Sequence, residues 1–145
     1  IRTAREMNDL LHDLLDMVGV GGIMGVSGLH CVSSYPAPLD EMNLRVLWDH
    51  DGYPWADGFS GKGLSDHSAH PLMGALAVAA GAEIIEVHFR LNSTTRDNPD
   101  WLHSLSPNLL AAYIYNVRLA ETALGDGKKR VMPSEERWLR YKVKA

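Results

Sequence analysis

The sequence predicts a parallel α/β fold forming part of a larger barrel, on three observations. Apolar runs over residues 23–33, 62–66 and 83–89 alternate with helical segments, which is the grammar of parallel α/β proteins. Each run gives way to a loop at polar residues, and strand ends feeding loops are where such folds gather catalytic groups and metal ligands. Finally, three strands are too few to close a sheet, so two edges and an inner face would stay uncovered.

Each element has a local reason. Met7, Leu10, Leu11, Leu14, Leu15 and Val18 recur at helical spacing, with Thr3 and Glu6 placed as a capping box and Gly19 and Gly21-Gly22 as the stop. The chain starts on Ile1 and enters this helix with no strand before it, as a truncated α/β repeat would, so the expectation is a domain whose N-terminal half is absent. Residues 23–33 read as a buried strand, Tyr35-Pro36-Ala37-Pro38 as a loop, and Asp40 as the cap of a short helix through Leu44 and Leu47. An irregular stretch over 50–61 precedes the strand at 62–66. Pro71 and Gly81 bracket a short, almost wholly apolar helix expected to be buried on several sides. After the strand at 83–89, Ser106-Pro107 opens an amphipathic helix through Leu110, Tyr113, Ile114, Val117 and Leu124 that Gly125 ends.

Composition bounds the function. A chain of 145 residues, 46% hydrophobic and 22% charged, suits one globular domain. A net charge of −4 with scattered Lys and Arg excludes a nucleic-acid surface, which would concentrate positive charge on one face. The basic residues 128–130 and 137–144 read as a solvated terminus. Cys31 is the single cysteine, so no intrachain disulfide forms and a reducing compartment is expected. No apolar run approaches the roughly 20 residues a membrane span needs, and no signal peptide opens the chain. A cytoplasmic protein with no membrane partner is expected.

Three motifs in fixed order carry the chemistry: Leu29-His30-Cys31 leading to Tyr35-Pro36-Ala37-Pro38, then Gly63-Leu64-Ser65-Asp66-His67-Ser68, then Ile85-Glu86-Val87-His88-Phe89. With the Ala-rich segment ending Gly81-Ala82, the later Pro99-Asp100 and Ser104-Leu105-Ser106-Pro107, and the closing Ala120-Glu121, they resemble the sialic acid (N-acetylneuraminate) synthase family, including its legionaminic and pseudaminic acid relatives. Single matches are weak, but their joint occurrence in order over residues 29–135 is specific.

The resemblance implies a TIM (β/α)8 barrel of which this chain holds the C-terminal portion, about strands 6 to 8 with flanking helices. It implies condensation of phosphoenolpyruvate with an N-acetylated amino sugar, through water attack and C–O cleavage, with release of phosphate and use of a divalent metal such as Mn²⁺. The absent half would hold most phosphate contacts, so the fragment alone should not turn over and, with its edges bare, should associate. The full-length protein is expected to be a homo-oligomer. The chain is expected to lack the small antifreeze-like domain that many members carry. The chain also departs from the family pattern, which has His at Trp101 and a charged or small residue at His103.

The family pattern assigns the metal to His30 and His67, and two neutral imidazoles at neighbouring strand ends suit Mn²⁺, Fe²⁺ or Zn²⁺. The synthase reading is expected to depend on those two rings converging. Alternation along a strand puts Ser65 and His67 on one side and Asp66 on the other, so Asp66 is either a catalytic group or a positioning partner. Glu86 and His88 share a side, where they would supply a carboxylate and an imidazole to proton transfer. Ser65 belongs with the substrate contacts, as do Tyr35 and Asn43 after the first strand, although Tyr35 suits packing nearly as well. Cys31 is expected to face the helices as an inert thiol. His12, His50, His70 and His103 show no ligand spacing, and the four Trp residues read as packing or interface groups. Two other classes stay open: another metal-assisted barrel aldolase or isomerase, with Lys62 the one lysine near a strand, and a non-catalytic remnant acting as an assembly domain.

Overall fold

The computed structural model describes residues 4–18, 25–48 and 59–141. Within them, strands β1 (Ser27–Cys31), β2 (Gly61–Asp66) and β3 (Ile84–Val87) form one parallel sheet in the order β1-β2-β3. Helix α1 (Ala4–Val18) precedes β1, two 3-10 turns stand between β1 and β2 in the described residues, helix α2 (Met73–Ala79) joins β2 to β3, and helix α3 (Pro107–Leu124) and a 3-10 stretch (Pro133–Tyr141) follow. The expected α/β order with a parallel sheet is therefore present. The Thr3 cap, the glycine stop at 19–22, the start of the first apolar run at Ile23, and residues 50–58 of the irregular stretch lie outside the described residues. No described helix is long and apolar enough to cross a membrane.

Local details differ from the sequence reading. Asp40 caps nothing: it lies inside a 3-10 turn (Leu39–Glu41) whose cap position Pro38 occupies. The next turn (Leu44–Leu47) is opened instead by Asn43, with φ 41° and no side-chain cap; Asn tolerates this left-handed conformation better than most residues. Helix α2 is not buried all round. Met73, Gly74 and Ala77 are inside, but Leu72 and Leu76 are exposed, because a seven-residue helix sets only one stripe against α3 and β2.

The register decides which side chains share a face. His30 lies opposite Leu64 and Cys31 opposite Ser65 across β1 and β2; Ser65 lies opposite Glu86 and Asp66 opposite Val87 across β2 and β3. Because side chains alternate along a strand and registered neighbours point the same way, the sheet sorts into two sets. His30, Leu64, Asp66, Ile85 and Val87 face the helices. Cys31, Ser65 and Glu86 face the other way, and this second face is open, with Cys31 and Glu86 exposed.

On the helix side, Leu64 packs with Met42, Leu47, Leu105, Met73, Ala77 and Tyr113. Met42, Leu47, Leu64 and Leu105 are fully buried, each contributing about 1.5–3 kcal/mol by burial. Asp66 is buried among them and made tolerable by partners: Oδ2 accepts a hydrogen bond from the Tyr113 hydroxyl at 2.8 Å, and Oδ1 accepts one from the Ser68 backbone N–H at 2.8 Å. Burial, then the neighbouring Asp66 charge and hydrogen bond, push the Tyr113 phenol up, keeping it a donor. Gly74 lets α2 lie directly on that ring, since an added Cβ there would collide with Tyr113. Removing the hydroxyl in Tyr113→Phe leaves a buried carboxylate oxygen without its donor, and denaturant unfolding should show a loss of about 1–3 kcal/mol.

Candidate functional site

At the ends of the strands the open face gathers four rings. His67 is the first residue beyond β2 and His88 the first beyond β3, so each continues the open-face set of its strand, and their ring centroids are 5.2 Å apart. Tyr35, from the loop after β1, lies 4.4 Å from His67 and 4.8 Å from His103. That loop is tied down by the Ala37 N–H, which donates to the His67 carbonyl at 3.0 Å. His103 completes the group, 4.5 Å from His88 and 6.0 Å from His67.

His103 arrives through a loop that returns along β3. Leu105 donates its N–H to the His88 carbonyl at 2.8 Å, Arg90 donates to the Leu105 carbonyl at 2.9 Å, and Phe89 and Leu105 form a parallel bridge. Inside the loop, Arg90 Nη1 donates to the carbonyls of Trp101 and Ser104. Its guanidinium lies 4.4 Å from the Trp101 ring centroid, with that of Arg96 at 4.9 Å. Trp101 thus anchors the loop through cation–π contacts.

Asp100 sits between two histidines: Oδ2 is 3.7 Å from His88 Nδ1 and Oδ1 is 3.4 Å from His103 Nε2. Asp100 is 57% exposed but His103 only 4%. His103 Nε2 is buried without a properly aligned hydrogen-bond partner. Burial, then the neighbouring His88, lower the His103 pKa against the opposing pull of Asp100. His67 Nδ1 lies 3.2 Å from the Val32 carbonyl. A carbonyl only accepts, so this bond puts the proton on Nδ1 and leaves Nε2 with the lone pair.

The expected residues separate. His30 and His67 do not converge: His30 shares the helix face with Leu64, and its Nε2–H donates to the Met42 carbonyl at 2.8 Å. The histidine brought to His67 is His88. Cys31 is corrected in the opposite sense. It is exposed on the open face, its Sγ 3.7 Å from His67 Nδ1, because one step along a strand reverses a side chain. Asp66, placed in the sequence reading either as a catalytic group or as a positioning partner, points into the helix layer, where it accepts hydrogen bonds from Tyr113 and the Ser68 N–H, and does not join the rings on the open face. Ser65 and Glu86 do meet, Ser65 Oγ donating to Glu86 Oε1 at 2.7 Å. Asn43 is not among the residues touching the rings; its conformation serves the turn at Leu44–Leu47. His103, read from the sequence as having no ligand spacing, is corrected: it and Asp100, read there only as part of a Pro-Asp motif, stand with His88, and their three-residue spacing was the available signal.

Comparison with known proteins identifies a family. The NeuB family matches residues 12–129. An N,N'-diacetyllegionaminic acid synthase of Legionella pneumophila is 37% identical over 108 residues, 74% of this chain and 29% of that protein. The human N-acetylneuraminate-9-phosphate synthase is 36% identical over 109 residues, 74% of this chain and 29% of its own length. Among solved structures, an N-acetylneuraminic acid synthetase of Leptospira borgpetersenii is 35% identical with a TM-score of 0.62, covering 79% of this chain and 39% of that one. The chain thus spans about 29% of the length of these curated relatives.

Because Arg90 holds two carbonyls of the returning loop, Arg90→Ala should free it. Hydrogen exchange should show faster exchange at the amides of Ser104 and Leu105, by roughly the factor of 5–150 that a local loss of about 1–3 kcal/mol implies, while Leu64 in the sheet centre stays protected.

Proposed function

Because the chain belongs to the NeuB family, we propose that it supplies part of the active site of a synthase that condenses phosphoenolpyruvate with an N-acetylated amino sugar, releasing phosphate and forming a nonulosonic acid. The relatives named as legionaminic acid and N-acetylneuraminate-9-phosphate synthases support this class of product. In this reading β1 to β3 are strands 6 to 8 of a (β/α)8 barrel, the open face is its interior, and the remaining strands come from outside these residues. The observation that carries the reading is the pairing of His67 and His88 on that face, 5.2 Å apart between centroids, under the Tyr35 ring.

The donors fit a divalent metal such as Mn²⁺. His67 has its tautomer fixed by the Val32 carbonyl, the backbone orientation that ligating imidazoles ordinarily have. His88 stands beside it, and nitrogen donors with an adjacent carboxylate suit first-row divalent ions. When bound, such an ion supplies Lewis-acid polarisation of the sugar's aldehyde oxygen.

The chain's own groups do the rest. Glu86, half of a Ser65–Glu86 pair on the same face, accepts hydrogen bonds from sugar hydroxyls or takes a proton from the water that adds to the phosphoenolpyruvate carbon. Ser65 holds that carboxylate in place. Tyr35 covers the His67 ring and offers its hydroxyl to the acceptor while limiting water above the histidines. Asp66 acts at one remove, fixing the strand end from which His67 projects.

The Schiff-base alternative is disfavoured: Lys62, in register with Gly28, shares the helix face with Leu64 and is buried there. It cannot present its amine to the open face.

The full-length protein, given phosphoenolpyruvate, Mn²⁺ and a panel of mannosamine-type and dideoxy N-acetylated acceptors, should release phosphate with at least one of them. His67→Ala and His88→Ala should each lower that rate by two orders of magnitude or more, an effect of about 2.7 kcal/mol on the barrier. Silence across the whole panel would favour the non-catalytic remnant.

A further inference from the structure

We propose that Asp100 and His103 are additional protein ligands to the divalent metal at His88, giving this chain a three-donor His-Asp-His site on the loop side of the open face. The proposal rests on the metal reading of the previous section for His88 and goes beyond it in the other two ligands. The donor atoms of His88, Asp100 and His103 all lie within 4.8 Å of one another. The separations across Asp100, 3.7 Å from Oδ2 to His88 Nδ1 and 3.4 Å from Oδ1 to His103 Nε2, are close to the roughly 3–3.6 Å that bonds of about 2.0–2.2 Å set between cis ligands, one carboxylate oxygen facing each imidazole.

An ion pair alone does not explain the arrangement. His103 is 4% exposed and its Nε2 has no hydrogen-bond partner. If Nε2 carries a proton, that proton is buried and faces Asp100 Oδ1 outside hydrogen-bond geometry. If it carries a lone pair, the lone pair faces a carboxylate oxygen at 3.4 Å, which is repulsive. A cation between nitrogen and carboxylate removes both costs at once. The site is also built from backbone: Arg90, Trp101 and the Leu105 bridge fix the loop independently of any ion, so the imidazole is delivered to His88 in advance. Moreover, His103 is a position at which this sequence departs from the synthase pattern. An added imidazole should move preference from Mn²⁺ toward Co²⁺ and Zn²⁺, which bind nitrogen donors more tightly.

The test is titration of the full-length protein with Co²⁺ and Zn²⁺, followed by visible absorption and calorimetry. Asp100→Asn changes an exposed side chain and should leave folding intact; His103→Ala is the second variant and His67→Ala the third. The proposal expects Asp100→Asn and His103→Ala each to weaken Co²⁺ binding by tenfold or more and to alter the Co²⁺ absorption bands. Wild-type affinity and bands in both loop variants, with binding lost in His67→Ala, would overturn the proposal while leaving a two-histidine metal site. Weakened binding in the loop variants with His67→Ala unchanged would support the three-donor site and remove His67 from the metal. No binding by the unmutated protein would overturn both readings.

Discussion

The register of the parallel sheet is the constraint on which everything else depends. Pairing His30 with Leu64 and Cys31 with Ser65 commits alternate side chains of β1 and β2 to the same two sides, and pairing Ser65 with Glu86 extends the commitment to β3. One side becomes a hydrophobic layer against α2 and α3. The other carries a thiol, a serine, a carboxylate and, just past the strand ends, two histidines. A slip of one residue in either pairing would exchange these sets along that strand. It would bury ionisable groups under the helices and expose Leu64.

Asp66 links the two sides. It is the last residue of β2, immediately before His67, yet it points into the helix layer and is held there by Tyr113 and the Ser68 amide. The hydrogen bonds that satisfy a buried carboxylate therefore also fix the backbone from which a site histidine emerges. Gly74 lets α2 press on the same Tyr113 ring, so helix packing and site geometry share one contact.

The returning loop contributes differently. Its backbone pairs with the continuation of β3 through Leu105, and Arg90 reaches across to hold the carbonyls of Trp101 and Ser104. Trp101 is engaged by two guanidinium groups, those of Arg90 and Arg96. Two residues later His103 faces His88, their ring centroids 4.5 Å apart. The loop thus keeps a histidine at the strand ends while using the indole to hold itself in place.

By itself the sequence determined the alternation of elements, the start and end of α3 at Ser106-Pro107 and Gly125, the family through three ordered motifs, and the shared side of Glu86 and His88. These follow from local spacing, from capping and helix-breaking residues and from period-two alternation, none of which needs a distant partner. It did not determine which phase of that alternation faces the helices, because in the short β1 stretch both alternating sets mix small, apolar and polar residues and neither marks the helix side. Reading His30 inward and Cys31 outward was therefore the wrong one of two choices that only strand pairing distinguishes. Nor could it place His103 beside His88 or Asp66 against Tyr113, 47 residues along the chain. Those neighbours arise when a loop returns along a strand and a helix packs across a sheet, and such long-range packing leaves no period in the sequence for a reader to find.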